Sequence, residues 1–135
     1  MNYRNVLTVC PYCGAGCNLY LQVLDDKVVG VLPAKQHVIS KGSLCIKGWN
    51  AAAFVHHEDR ITQPMARRNG GFEPIGWDEA LDMVTDKLAE IRQTHGPNAI
   101  SFLSSAKCTN EENYLLQKLA RAVIGTNGID HCARL

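Results

Sequence analysis

No apolar run in the 135 residues approaches the length of a bilayer span, so nothing in the sequence argues for an integral membrane protein. Neither sign of charge is in excess. Fourteen basic residues against thirteen acidic ones leave a formal net charge of +1, which is no electrostatic footprint for nucleic acid or an anionic membrane. Aromatic residues are scarce, at 7%, which argues against one large compact core. The N-terminus MNYRNVLTVC has no sustained apolar stretch and no small-residue cleavage site, and Met1 is present. Repeats and low-complexity tracts are also missing. A cytoplasmic location is the default expectation, although a mature periplasmic protein has a similar composition. A reducing compartment favours metal over disulfide for clustered cysteines.

Cysteine is what the chain has in quantity, and its placement is uneven. In CPYCGAGC, Cys10, Cys13 and Cys17 fall within eight residues, and Cys45 follows in GSLCIKGW. The pattern is C-x2-C-x3-C-x27-C. Structural zinc usually takes two separate C-x2–4-C knuckles, whereas three thiolates from one tight loop plus a distant fourth suit a cubane with several iron atoms. The ferredoxin run C-x2-C-x2-C is a different motif. Gly14 and Gly16 permit positive φ and let loop N–H groups turn toward sulfur. Lys41 and Lys47 flank Cys45 and offset the charge of thiolate ligands. Single zinc and unmetallated buried cysteines stand as the rival readings. Cys108 and Cys132 lie apart. The plain reading makes both small apolar residues of a packed interior, with Cys108 also placed at a helix N-terminus, where a thiol pKa falls. His56 and His57 read as surface residues of a short helix, and His37 and His95 as loop residues.

Residues 5–33 read as β, with NLYLQVL (18–24) and KVVGVL (27–32) joined by an Asp25-Asp26 hairpin turn. A polar loop over 34–48 closes on Cys45, and WNAAAFVHH (49–57) reads as a short helix. Residues 61–74 are irregular, with a turn at Asn69-Gly70-Gly71 joining two short strands. From Trp77 the period changes. Asp78 is the expected N-cap of a helix with Leu81, Val84, Leu88 and Ile91 on one face, ended by Gly96-Pro97. AISFL (99–103) suits a buried strand. Thr109 and Glu112 form a capping-box pair, opening a helix that turns Leu115, Leu116, Leu119, Ala120 and Val123 inward and stops at Gly125. Ile129 to Cys132 reads as a further strand. Helix–strand–helix–strand is the order of an α/β unit with parallel strands.

The set CPYCGAGC, GSLCIKGW, ITQPM, FEPIGWDEAL and IDHCARL resembles the N-terminal part of molybdopterin-dependent oxidoreductases over essentially the whole chain. Within that superfamily the ending NGIDHCARL is similar to the catalytic subunit of formate dehydrogenases of the cytoplasmic, selenocysteine type. The resemblance implies a fold that is α+β and then α/β. A small β-rich [4Fe–4S] domain over 1–60 would precede the first portion of an α/β molybdopterin-binding domain over 61–135. It implies that Cys10, Cys13, Cys17 and Cys45 hold the cluster, and that Lys47 lies between cluster and pterin as an electron relay. Segments near 104–110 and 126–135 would begin the cradle of a molybdenum or tungsten bis(molybdopterin guanine dinucleotide) cofactor shared with the rest of the subunit. In the family, CAR-x is followed directly by the metal-ligating selenocysteine or cysteine. The expectation is therefore a chain that stops one residue short of that ligand, read as a stop at a selenocysteine codon, or else a split subunit. Such a chain would be inactive alone.

The activity implied is reversible oxidation of formate to CO2. The partners implied are the remainder of the catalytic subunit and a ferredoxin-like iron–sulfur subunit, leading on to a hydrogenase or a nicotinamide-reducing module. Nitrate reductases share the cysteine pattern and C-x-K-G, and the large iron–sulfur subunit of respiratory complex I is a non-catalytic relative. Both remain as alternatives, beside a zinc-binding interaction domain.

Overall fold

A computed structural model describes residues 1–132. The expectations placed on Ala133 to Leu135 lie outside the described residues. The chain divides into two compact units, each discontinuous in sequence. The first comprises Met1–Arg60 and Ser104–Leu115, together with His131 and Cys132. The second comprises Ile61–Leu103 and Leu116–Asp130.

The first unit is built on an antiparallel sheet in the order β1 (Tyr3–Val9), β2 (Asn18–Leu24), β3 (Lys27–Pro33). Asp25 and Asp26 form the β2–β3 turn with φ of 44° and 64°, the left-handed pair whose twist matches that of the flanking strands. Asp25 also accepts the main-chain N–H of Asn2 at 2.7 Å, tying down the start of β1. Leu19, completely buried, centres a small core with Cys10, Val31 and Ala51. β1 begins earlier than the sequence suggests, at Tyr3.

The helix expected over 49–57 is not there. A single helical turn, α1 (Ile46–Trp49), is followed by successive i→i+3 turns, with Ala53 N–H donating to Asn50 and Val55 N–H to Ala52. The side-chain amide of Asn50 donates to the Ile46 carbonyl at 2.7 Å, competing with helix propagation. His56 Nε2 accepts the Val28 N–H at 2.9 Å and holds the segment against the edge of β3.

The second unit opens with a hairpin, β4 (Met65–Arg68) and β5 (Gly71–Pro74), turned at Asn69 and Gly70 with φ of 49° and 83°. α2 (Trp77–His95) begins one residue before Asp78. Gly76 takes the N-cap without a side-chain bond, and Asp78 and Glu79 instead place negative charge in the first turn, where the helix dipole favours it. Arg68 pairs with Glu79. The α2 stripe departs from its expected burial: Leu81 and Val84 remain exposed at 58% and 57%, and no α2 residue is fully buried. Gly96, with φ of 82°, ends the helix, and the turn Pro97–Ala99 follows.

The strand expected at 99–103 is shifted and shortened to β6 (Phe102–Ser104). Ile100 is buried before it and Leu103 lies 80% exposed on it. β6 pairs with β7 (Ile129–His131), and the Phe102 N–H donates to the Gly128 carbonyl at 2.7 Å. Between them α3 (Asn110–Lys118) widens into a π-type turn at Leu119–Ile124, closed by left-handed Gly125. The N–H groups of Gly125 and Thr126 both reach back to the Ala120 carbonyl. The wider turn rotates the inward face, so Ile124 is buried and Val123 is turned out, the reverse of a regular α-helical continuation.

Candidate metal centre

The sheet brings the first three cysteines together. β1 ends at Val9 and β2 begins at Asn18, so residues 10–17 are the connection between two paired strands. Pairing runs one step beyond the strands, with the Cys10 N–H donating to the Cys17 carbonyl at 2.8 Å. Cys10 is buried in the core, Cys17 is half-buried and Cys13 is exposed at the loop tip. Tyr12 meets Phe54 edge to face, with centroids 6.1 Å apart, and Arg60 lies over the other ring at 5.1 Å from the Phe54 centroid.

Cys45 arrives from the other side as the N-cap of α1. The N–H groups of Gly48 and Lys47, and then the Lys47 charge, hold its thiol below the usual range. Burial pushes the Cys17 thiol up, and the sulfurs of Cys10, Cys13 and Cys45 add to that shift. All four cysteines line one cavity of about 270 Å³, shared with Tyr12, Leu44, Ile46, Lys47 and Gly48. Among the described residues, no three His, Cys, Asp or Glu side chains are gathered closely enough to hold one metal ion. A donor set of four thiols on one cavity is that of a [4Fe–4S] cluster as well as of a structural zinc site. A larger open groove of about 730 Å³ lies beside β3, lined by Val28, Trp49, His56 and His57 among others, and contains no cysteine.

The two glycines of the loop act differently. Gly16, between Cys13 and Cys17, has φ of 65°, the left-handed conformation that glycine permits. Gly14 is not in the left-handed region; a Cβ there would lie 2.5 Å from Asn110 Oδ1, so glycine is needed for close approach. Lys47 is exposed on α1 and borders the cavity, while Lys41 sits in a left-handed turn with φ of 47° and does not line it.

Cys108 and Cys132 correct the expectation of a packed interior. Cys108 is half-buried and its thiol donates to the Ser105 carbonyl at 3.0 Å. Cys132 is exposed, and its thiol is lowered by the Ala106 N–H first, then by the Ser105 hydroxyl and the Lys107 charge. His56 and His57 are exposed as expected, though on turns; His57 accepts the Asp59 N–H at 3.2 Å. Sequence reasoning missed Asn110, whose amide donates to the Gly14 carbonyl at 2.9 Å. The only signal available was its place directly after the capping residue Thr109.

Residues 3–57 match the molybdopterin oxidoreductase Fe4S4 domain, and residues 60–135 match the molybdopterin oxidoreductase family itself. The chain belongs to the molybdopterin oxidoreductase family, whose two matched domains indicate a [4Fe–4S] cluster and a molybdopterin cofactor. Within it, the chain is 49% identical over 128 residues to the F420-dependent formate dehydrogenase 1 subunit alpha of Methanococcus maripaludis, covering 95% of this chain and 18% of that protein. It is 46% identical over 135 residues to the F420-dependent formate dehydrogenase subunit alpha of Methanocaldococcus jannaschii, covering all of this chain and 19% of that protein. The chain thus spans under a fifth of the length of these curated relatives. Acetylene hydratase from Pelobacter acetylenicus has the same fold over 93% of this chain and 18% of its own, with a TM-score of 0.71 at 23% identity. The β-rich start followed by helices and further strands agrees with the expected fold class. Among the described residues, no helix is long and apolar enough to cross a membrane.

Proposed function

We propose that this chain is the N-terminal segment of a formate dehydrogenase catalytic subunit, in which Cys10, Cys13, Cys17 and Cys45 hold a [4Fe–4S] cluster. The convergence of these four thiols on one cavity bordered by Lys47 carries the reading. The identity to formate dehydrogenase alpha subunits supports the substrate. Residues 1–60 act as the cluster-binding domain and 61–135 as part of the α/β pterin domain, in keeping with the matched ranges.

Bound in these places, the cluster supplies one-electron transfer, and a molybdenum or tungsten bis(molybdopterin guanine dinucleotide) supplies the two-electron interconversion of formate and CO2. The chain's own residues do the rest. The strand pairing at Cys10 and Cys17 fixes two ligands at the mouth of the loop. Backbone donors and the Lys47 ammonium stabilise Cys45 as thiolate, the form that binds iron. Lys47, which borders the cysteine cavity, would stand between cluster and pterin and offer them a flexible ammonium with three hydrogen-bond donors. The remaining part of the catalytic site comes from the rest of the subunit. Electrons leave to a ferredoxin-like iron–sulfur partner that feeds a hydrogenase or a nicotinamide-reducing subunit, in the cytoplasm.

Anaerobic purification of the complex containing this chain, followed by iron, sulfide, molybdenum and tungsten analysis and viologen assays, tests the proposal. Formate-dependent viologen reduction, with four irons assigned to this chain's cluster, is expected. Nitrate-dependent viologen oxidation without formate activity, or a colourless zinc protein, overturns it.

A further inference from the structure

The cysteine loop is gripped from a distant part of the chain. Asn110 Nδ2 donates to the Gly14 carbonyl at 2.9 Å, across 96 residues of sequence. Gly14 lies between the second and third cysteines of the loop, and its missing side chain makes room for the amide: an added Cβ would come within 2.5 Å of Asn110 Oδ1. The hydrogen bond and the missing side chain describe the same close approach of the Asn110 amide to the loop. Gly14 falls in the range matched by the Fe4S4 domain and Asn110 in the range matched by the oxidoreductase domain, yet the two residues belong to one compact unit.

Asn110 is itself held. It is the first residue of α3, immediately after Thr109. Thr109 Oγ1 accepts the Glu112 N–H at 3.3 Å, and Glu112 Oε2 accepts the Thr109 N–H at 2.6 Å and its hydroxyl at 2.9 Å. Asn113 donates to the carbonyls of Ser105 and Thr109 and accepts from the Ser104 hydroxyl. Residues 104–113 are therefore knotted by their own side chains, and the Asn110 amide is presented from a supported position.

Resting on the reading of the cysteines as cluster ligands, we propose that Asn110 is a positioning residue that sets the reduction potential of the cluster by fixing the peptide at Gly14. The potentials of iron–sulfur centres respond to hydrogen bonds donated to their sulfurs and to how firmly the donors are aimed. A loop anchored only at its neck leaves the peptides between Cys13 and Cys17 free to reorient. The amide of Asn110 takes up the Gly14 carbonyl and removes that freedom. Releasing it lets the N–H groups between Cys13 and Cys17 turn away from a centre whose reduced form is the more negative one, and a lower potential is therefore expected.

The test is an EPR-monitored redox titration of the cluster in the anaerobically purified complex, comparing wild type with Asn110→Ala, Gly14→Ala and the double variant. Gly14 does not use the left-handed region, so its replacement by alanine displaces the Asn110 amide without backbone strain. With iron retained, each single variant is expected to lower the reduced-to-oxidised ratio at fixed potential by about threefold, on the scale of one hydrogen bond. The double variant should show the same shift as either single change, the sign of a shared contact. Unshifted potentials in iron-loaded single variants, or two shifts that add in full, overturn the proposal. If Asn110→Ala loses iron, Gly14→Ala alone decides by its midpoint. Loss of iron from both, with the far-ultraviolet spectrum intact, overturns the proposal, since the contact then retains the cluster and does not tune it. A wild-type complex without the [4Fe–4S] signal removes the cluster assignment and this inference together, whereas a normal wild-type signal with unmoved variants removes only the inference.

Discussion

The main-chain N–H of Cys10 donates to the carbonyl of Cys17 at 2.8 Å, so the first and third cysteines of the loop form one more rung of the β1–β2 ladder. Strand pairing by itself therefore places two of the four thiols. Cys13→Ser is expected to abolish the iron–sulfur absorption while leaving the strand signal in the far ultraviolet, because Cys13 is exposed. Cys10→Ser should lose the cluster and also lower stability by about 1–3 kcal/mol, since it puts a hydroxyl into the core. Iron analysis with urea unfolding separates the two; equal stability of both variants would contradict the placement of Cys10.

Among the described residues Leu19 is the one large side chain completely removed from solvent, and it packs beside Cys10. Leu19→Ala should cost about 2–5 kcal/mol. Because the cavity it leaves adjoins Cys10, a ligand in the proposed reading, iron loss on heating should come earlier in the variant, measured by the bleaching of visible absorption.

The reciprocal bonds of Thr109 and Glu112 fix the start of α3. Thr109→Ala is expected to cost about 1 kcal/mol in urea unfolding. Glu112→Gln, which keeps an acceptor, should cost less than Glu112→Ala.

Lys47 borders the cysteine cavity, and the Cys45 thiol is lowered by the N–H groups of Gly48 and Lys47 and then by the Lys47 charge. Lys47→Ala should retain iron and cut formate-dependent viologen reduction by about tenfold or more, with kcat falling more than KM rises, as for a group that serves turnover and not substrate binding. A loss confined to KM would contradict the relay role.

Cys132 is exposed, with its thiol lowered by the Ala106 N–H, the Ser105 hydroxyl and Lys107. Its thiolate persists to lower pH than an ordinary cysteine's, so iodoacetamide labelling of Cys132 should continue below the normal thiol range. Lys107→Ala should move the labelling curve to higher pH; peptide mass spectrometry reads both.

Local chemistry was legible wherever one residue type decides the backbone. The paired aspartates at 25–26, Asn69-Gly70, the capping box at Thr109 and the stops at Gly96 and Gly125 all appear where the sequence puts them. The four cysteines were legible as a group because their spacing departs from zinc knuckles, and they line one cavity. Errors arose where competition is tertiary or side-chain specific. Asn50 breaks the helical run through its own amide, and His56 draws the segment to β3. The π-type turn after Lys118 exchanges Val123 for Ile124 on the inward face, which a fixed period of 3.6 misplaces. Asn110 was illegible because a polar residue in a first helical turn carries no mark of a partner 96 positions away.

The unit that encloses the four thiols is not a contiguous stretch: residues 104–115 belong to it as much as residues 1–60. A gene fragment cut after the first sixty codons would carry all four thiols and leave behind residues 104–115 of the same unit, Asn110 among them. Grafting the cysteine loop onto another scaffold therefore calls for two splice-ins, the loop and the Asn110 segment that touches it, and recombination between relatives has to carry both together.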